Sequence, residues 1–394
     1  GVQLTDHGTE MGRDVARLLN GEGSVRTIAG DDAPTPEPKI EVALRRADEI
    51  EGTLIEGPWG TDTVPADMFT VTDRLLARLT RHQLDRAIGE GRLHAGAVVD
   101  SDDHAALLLG KSGAGKSTLT SHLVHSGFDL LNDEQITVYR HHGVVGGFTR
   151  PVAIKAGGHA QLPSALAAQP EPAQARLLTV TDLNADTRHR LTARPLVSVL
   201  LGRDHELAEP GQAVAEPGAV RVEPVAPAEA FPILCTHSLD LVRKPADALA
   251  DLAWMAATVP TVRLVYEEAH AAAAAVTELL GAAPPAPQAT WKVTELETDH
   301  DDVAGAEIVA VDGTVLIEID QEAFVYEPVG RRLVALTGEA LDLWHALPWC
   351  DDVPPALWGF IEPLEEAGIV RVTQPQAGAT TGSSTGDALA ADGS

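Results

Sequence analysis

The chain has 394 residues, 44% of them hydrophobic, enough for two or three packed domains. Its 29 basic against 58 acidic residues leave a formal charge of −29. That balance weighs against a general nucleic-acid binder and against docking on anionic lipid, which both need clustered Lys and Arg. Lysine occurs only at positions 39, 111, 116, 155, 244 and 292, so the two inside one glycine-rich loop stand out. Cys235 and Cys350 lie far apart in no metal-like spacing and read as reduced thiols of a cytoplasmic protein. No apolar run approaches the ~20 residues of a membrane helix. The start, "GVQLTDHGTEMGRDV", lacks the basic-then-apolar order of a signal peptide.

In chain order, an amphipathic piece, "GRDVARLLN", runs into the breaker "AGDDAPTPEPK". Three short strand-like segments follow, "IEVALR", "GTLIEG" and "MFTVTD". "TDRLLARLTRHQLDRAIGEG" then reads as a helix capped by Thr72 or Asp73, with Leu75, Leu76, Leu79, Leu84 and Ile88 on one face. From Leu93 the texture is α/β: two strands, "LHAGAVVD" and "HAALLLG", joined by the turn "SDD", then a helix from Lys116 to near Gly127 and a strand at Leu130 and Leu131. "ITVYRHHGVVGGF" predicts a hairpin turning at His142–Gly143. Residues 161–194 carry helical tendencies without clear limits, "RPLVSVLLG" is a buried strand, and 206–230 reads as a Pro- and acid-rich insertion. A helix in "ADALADLAWMAATV", a strand in "TVRLVYE" and a closing helix in "EEAHAAAAAVTELLG" complete this part. After a Pro/Ala linker, "EIVAVDGTVLIEIDQEAFVYEPV" reads as strand, Asp-Gly turn, strand and a further extended piece. Two helices, in "TGEALDLWHAL" and "PPALWGFIEPLEEAG", and the strand "IVRV" follow. The expected layout is an N-terminal α+β region (1–90), an α/β core (91–281), a linker (282–291), a C-terminal module (292–373) and a low-complexity, disordered tail (374–394).

Residues 110–117, Gly-Lys-Ser-Gly-Ala-Gly-Lys-Ser, satisfy the P-loop spacing in full, with an apolar strand before and a helix after. Glycine lets successive backbone N–H groups turn inward around phosphate oxygens, and the helix N-terminus adds partial positive charge. Gly110, Lys111, Ser112, Gly113, Ala114, Gly115, Lys116, Ser117 and Thr118 are therefore the candidate ATP-binding residues. Lys116 would bridge the β- and γ-phosphates, and the Ser117 hydroxyl would hold Mg²⁺. Asp133 and Glu134 end the next strand, where an acid can orient Mg²⁺ or accept a proton from an attacking hydroxyl. Arg150 and Lys155 in "TRPVAIK", and the adjacent Arg243 and Lys244, are candidate substrate or phosphate contacts, each weighed against an ordinary solvated cation. His122 and His125, three apart on the helix, suggest no third metal ligand and read as solvated.

The order "LHAGAVVD", "GKSGAGKS", "LLNDE" resembles the HPr kinase/phosphorylase family and its smaller HPr-kinase-like relatives, most closely across 92–139 and loosely across 90–280. The resemblance implies an HPr-kinase-like α/β P-loop core using ATP and Mg²⁺. It implies Asp133 as catalytic base and metal neighbour, and His94 close to the transferred phosphate. Glu134 stands where the family often has a second Asp, as a further metal ligand with Ser117. The family's later signature, coupling kinase to phosphorylase activity, has no good copy here.

Residues 292–373 resemble the PqqD-like proteins that recognise leader peptides of ribosomally made, modified peptides (RiPPs), through the order "EIVAVDG", "TVLIEID", "EAFVYEPV", "ALDLWHAL" and "LEEAGIVRV". That resemblance implies a small winged-helix-like domain accepting a leader peptide as an added strand. The peptide would lie near Val315–Ile319 or Val325, beside the Leu341–Trp344 helix. A DNA-binding winged helix fits less well, because the helices are acidic where a recognition helix should be basic. Together the two resemblances imply a cytoplasmic peptide Ser/Thr kinase that phosphorylates a RiPP precursor, with no nucleic-acid or membrane partner. A homo-oligomer stays open. The alternatives are an ATPase or nucleotide-switched peptide-delivery module, and a small-molecule kinase with a structural C-terminal domain.

Overall fold

The computed structural model describes residues 2–7, 15, 40–47, 52–86, 91–167, 175–202, 220–239, 241, 245–296, 308–336, 338–347 and 358–372. Chain contacts divide it into two compact units, Gly1–Thr294 with Val315–Phe324, and Glu295–Thr314 with Val325–Ser394.

The first unit opens with a four-stranded sheet, β1 (Val2–His7), β2 (Ile40–Ala47), β3 (Gly52–Gly57) and β4 (Gly60–Pro65), covered by helix α1 (Met68–Arg86). β1 and β2 are parallel and the other pairs antiparallel. Val71, Leu75, Leu76 and Leu79 bury one face of α1 against Val42, Leu44, Ile55 and Val64. "MFTVTD" is the start of this helix and not a strand. Its β-branched and aromatic residues imitate strand composition, but Val71 falls in helical register with Leu75 and completes the apolar face. The cap is Asp67, whose carboxylate accepts the Thr70 N–H at 2.8 Å, rather than Thr72 or Asp73. Most of the predicted helix "GRDVARLLN", and residues 87–90 within "RAIGEG", lie outside the described residues.

The central sheet contains β5 (Gly91–Leu93), β6 (Ala95–Val99), β7 (His104–Leu109), β8 (Asp129–Asn132), β9 (Ile136–Tyr139), β10 (Val144–Gly146), β13 (Thr192–Gly202), β14 (Arg221–Val225) and β15 (Thr261–Val265). A small antiparallel hairpin of β11 (Val152–Lys155) and β12 (Ala175–Leu178) stands beside it. β7, β13 and β15 run parallel, while β6 is antiparallel to both β7 and β8. All five residues of β6 are buried, as expected of a strand covered on both faces. Helices α2 (Lys116–His125), α3 (Ser164–Ala167), α4 (Val180–Leu183), α5 (Pro227–Thr236), α6 (Pro245–Thr258) and α7 (Ala269–Ala282) pack around these strands. Leu119, Leu123 and Val124 of α2 share a core with Leu108, Val199 and Val276. The expected insertion at 206–230 contains β14 and the first turn of α5, which its Pro-rich, acidic composition conceals; residues 203–219 are outside the description.

Because β6 is antiparallel to both of its neighbours, β7 and β8 are parallel to one another. Their carboxyl ends and the amino end of β6 share one edge of the sheet. That edge is where ligands bind in open α/β sheets, and it positions the site.

Strands β16 (Trp291–Glu295), β18 (Val315–Ile319), β19 (Glu322–Glu327) and β20 (Arg332–Leu336) follow in the sheet order β16-β18-β19-β20. The division between the units falls inside β19. Within the first unit β18 therefore lies between β16 and the start of β19, and Val315–Ile319 is not an edge strand among the described residues. An added strand needs unpaired N–H and C=O groups, so Val315–Ile319 does not offer the edge expected for the peptide. In the first unit the Trp291 ring lies under the Arg140 guanidinium at 5.8 Å, and the Phe324 and Phe231 rings are 5.3 Å apart. In the second unit β17 (Ile308–Ala310) pairs antiparallel with β21 (Val370–Val372), so the Asp312–Gly313 turn does not close a hairpin of β17 on β18. Helices α8 (Glu339–His345) and α9 (Trp358–Glu366) complete that unit. No helix among the described residues is long and apolar enough to cross a membrane.

Candidate functional site

The turn from β7 into α2 is the glycine-rich loop, and its geometry is set by two positions. Gly115 caps α2 at φ +96° with no side-chain cap, leaving the first helical N–H groups without a side-chain acceptor. A Cβ there would lie 2.6 Å from the Tyr266 hydroxyl. That hydroxyl, just beyond β15, donates to the Ala114 carbonyl at 2.8 Å and ties the loop to the sheet. Lys116 folds back over the loop, its Nζ donating to the Gly110 carbonyl at 2.6 Å and to the Lys111 carbonyl at 3.4 Å. Burial pulls its ammonium below the usual value, while Asp133 and then Glu134 pull it back up.

Asp133 reaches the same spot from just beyond β8, across the intervening strand β6, where Gly96 leaves room for Thr120. A Cβ on Gly96 of β6 would stand 2.9 Å from Thr120 Oγ1 and 3.7 Å from Asp133 Oδ1. Asp133 is 2% exposed, and its Oδ1 has no hydrogen-bond partner. Burial raises its carboxyl to about 7, against the pull of Arg150, the Ser117 hydroxyl and the Ala153 amide. An acid poised there is half-ionised near neutrality, the condition that best serves a general base.

Asn132, which sequence reasoning passed over, organises the turn. Its carbonyl oxygen accepts the N–H groups of Glu134 (2.8 Å) and Gln135 (2.9 Å), and its amide donates to the Phe148 carbonyl at 2.6 Å. The last bond draws the segment after β10 against β8 and brings Arg150 beside Glu134, Nη2 to Oε2 3.6 Å. Arg150 is buried and its Nε has no partner. On the other side of Glu134, His94 Nδ1 sits 3.2 Å from the Glu134 carbonyl and 3.5 Å from Oε1. A carbonyl only accepts, so Nδ1 carries the proton. Burial, then Lys116, hold the ring below its ordinary pKa, which favours the neutral imidazole.

These groups line one cavity of about 620 Å³. His94, Ser112, Gly113, Gly115, Lys116, Ser117, Thr118, Asp133, Glu134, Arg150 and Lys155 all face it. Lys155, at the end of β11, donates to Ser112 Oγ at 3.2 Å across the mouth of the loop. Gly110, Lys111 and Ala114 do not line it: the first and last serve through their carbonyls, and the Lys111 side chain is exposed. Arg243 and Lys244 lie outside the described residues. Lys116, Arg150 and Lys155 gather here with Asp73, Asp133 and Glu134, so cations match acids in number in a chain of charge −29, a local concentration of positive charge that a phosphate group can use. Among the described residues no group of three or more His, Cys, Asp and Glu side chains has metal-site geometry. His122 and His125 instead bond the Gln161 and Leu183 carbonyls, at 2.5 and 2.9 Å. Sequence reasoning also missed Phe69 and Asp73 of α1, Tyr266, and the glycine-rich turn at 156–161 that supplies Gly157, Gly158 and Gln161 to the cavity.

No protein-family model matches the chain, and no curated protein does. Among solved structures it is similar to the HPr(Ser) kinase/phosphatase of Coxiella burnetii, at 13% identity and a TM-score of 0.26 over 48% of this chain and 88% of that one. An overlap of that extent carries no argument about activity, and nothing in the comparisons bears on the C-terminal module. The functional reading rests on the residues of the site.

Proposed function

We propose that the protein is a kinase that moves the γ-phosphoryl group of ATP to a Ser or Thr hydroxyl of a ribosomally made precursor peptide. The observation that carries this reading is Asp133: a buried carboxyl, unpartnered at Oδ1, held near 7 and set at the sheet edge beside a complete P-loop. An acid there can take the hydroxyl proton as the new O–P bond forms and the bond from Pγ to the β–γ bridging oxygen breaks, releasing ADP. Lys116, Arg150 and Lys155 offset charge on the transferring group, and the amides at the start of α2 hold the phosphates. His94, whose Nε2 accepts in the tautomer that donates to the Glu134 carbonyl, orients the attacking hydroxyl without adding charge.

The orphaned Oδ1 of Asp133 beside Ser117 fits a divalent cation, with Ser117, Asp133 and Glu134 as the residues that would hold Mg²⁺. Bound there, Mg²⁺ would supply charge neutralisation to the phosphate oxygens. The peptide is held by the C-terminal module, along the outer edge of β20, the last strand in its sheet order among the described residues. Tethering raises the concentration of the acceptor hydroxyl at the cavity. The test is to incubate the protein with Mg·ATP and the peptide encoded by a short reading frame beside its gene. Mass spectrometry should find a peptide heavier by one phosphate. ATP turnover with unmodified peptide would point instead to an ATPase or delivery module.

A further inference from the structure

The cavity has a wall that the phosphate chemistry does not use. Helix α1, whose far face is buried in the N-terminal core, turns Phe69 and Asp73 into the same cavity as the P-loop. The two residues are four apart, so they stand on one face of the helix, one turn from each other. Ala175, at the start of β12 and paired with Lys155 in the ladder, lines the same cavity. Phe69 is half-buried and Asp73 exposed, so both have surface to offer a ligand.

The charge of Asp73 decides what that ligand portion is. Unlike Asp133 and Glu134, Asp73 stands on a wall, α1, that contributes no cation and no P-loop hydroxyl to the lining, so it repels phosphate and favours hydrogen-bond donors. An aromatic face beside a carboxylate acceptor matches a nucleoside, which presents a flat base, an exocyclic amine and ribose hydroxyls. A cavity of about 620 Å³ is the size of one small-molecule site, and once phosphates occupy the loop, the rest of the same ligand must extend to another wall. We infer that α1 is the nucleoside-binding wall of this site, with Phe69 packing on the base and Asp73 accepting from the ribose or the base amine. The N-terminal region is then part of the nucleotide site and makes the protein select a nucleoside triphosphate over a bare polyphosphate. This rests on the reading of the P-loop as a nucleotide site.

The experiment compares binding of Mg·ATP and of inorganic tripolyphosphate with Mg²⁺, by calorimetry, to the full-length protein and to Phe69→Ala, Phe69→Leu and Asp73→Ala. The wild type should prefer ATP. Each substitution should weaken ATP by about tenfold, the scale of one lost base stack or charge-assisted bond, and leave tripolyphosphate unchanged. The unchanged tripolyphosphate also reports an intact fold and loop. ATP affinity that survives all three substitutions would overturn the inference, even if the KM for the peptide rose. Equal losses for both ligands, or a wild type that binds the two alike, would overturn it as well. A wild type that binds neither ligand would overturn the proposed kinase function itself, an outcome distinct from the others.

Discussion

Replacing Asp133 with Asn should make the protein more stable and inactive at the same time. Asp133 is 2% exposed, and burial holds its carboxyl neutral up to about pH 7, against an ordinary value of 3.8. Between those values the folded chain keeps a proton that the unfolded chain has released, so stability falls as pH rises through that window and is level above it. Integrated over the window, the loss is up to about 4 kcal/mol. Asn is nearly isosteric, cannot ionise and escapes that loss. The assay is urea unfolding of wild type and Asp133→Asn in parallel, without nucleotide, from pH 4 to pH 8, followed by tryptophan fluorescence. The difference in midpoint should be near zero at pH 4, grow in favour of the variant between pH 4 and 7, and stay constant beyond. A difference that does not change with pH, or that favours the wild type at pH 8, would show that Asp133 is ionised in the folded protein and refute the argument.

Asn132→Ala removes three hydrogen bonds that shape the Asp133–Glu134 turn, and should cost about 2–4 kcal/mol in urea unfolding while slowing phosphoryl transfer more than it weakens ATP binding. Gly115→Ala meets both a positive φ and the Tyr266 hydroxyl, so its ATP affinity should fall by at least about tenfold in calorimetry. Tyr266→Phe removes the bond to the Ala114 carbonyl and should cost about 1 kcal/mol of stability. Hydrogen exchange with and without the precursor peptide should show slowed exchange at Arg332–Leu336, on β20, and no change at Val315–Ile319, which is already flanked by strands. The reverse pattern would place the peptide elsewhere.

The loop was legible in the sequence because its function is carried by the backbone, and a backbone turn of that shape needs glycines at fixed spacing. The buried strands around it were legible for a related reason: "HAALLLG" and "RPLVSVLLG" are apolar throughout, as strands covered on both faces must be. Partners distant in the chain were not. Nothing local to Arg150 says that Asn132 will anchor its segment, and nothing near Tyr266 says that its hydroxyl will reach Ala114, 152 positions away. The start of α1 was misread because "MFTVTD" satisfies strand propensity, while burial of Val71 in the N-terminal core decides for helix. That one error hid the face carrying Phe69 and Asp73. The edges of the C-terminal sheet were equally hidden, because β20 lies in "RRLVAL", a segment whose strand character emerges only from its pairing.

The most direct test of the account follows the γ-phosphate itself. Wild type and Asp133→Asn, each first shown to bind ATP, are mixed with γ-labelled ATP, Mg²⁺ and the precursor peptide in a single turnover. The account predicts label on a Ser or Thr of the peptide with the wild type, and a rate at least about 100-fold lower with the variant, the scale of a lost general base. Equal rates for the two proteins, or label released only as inorganic phosphate, would contradict it.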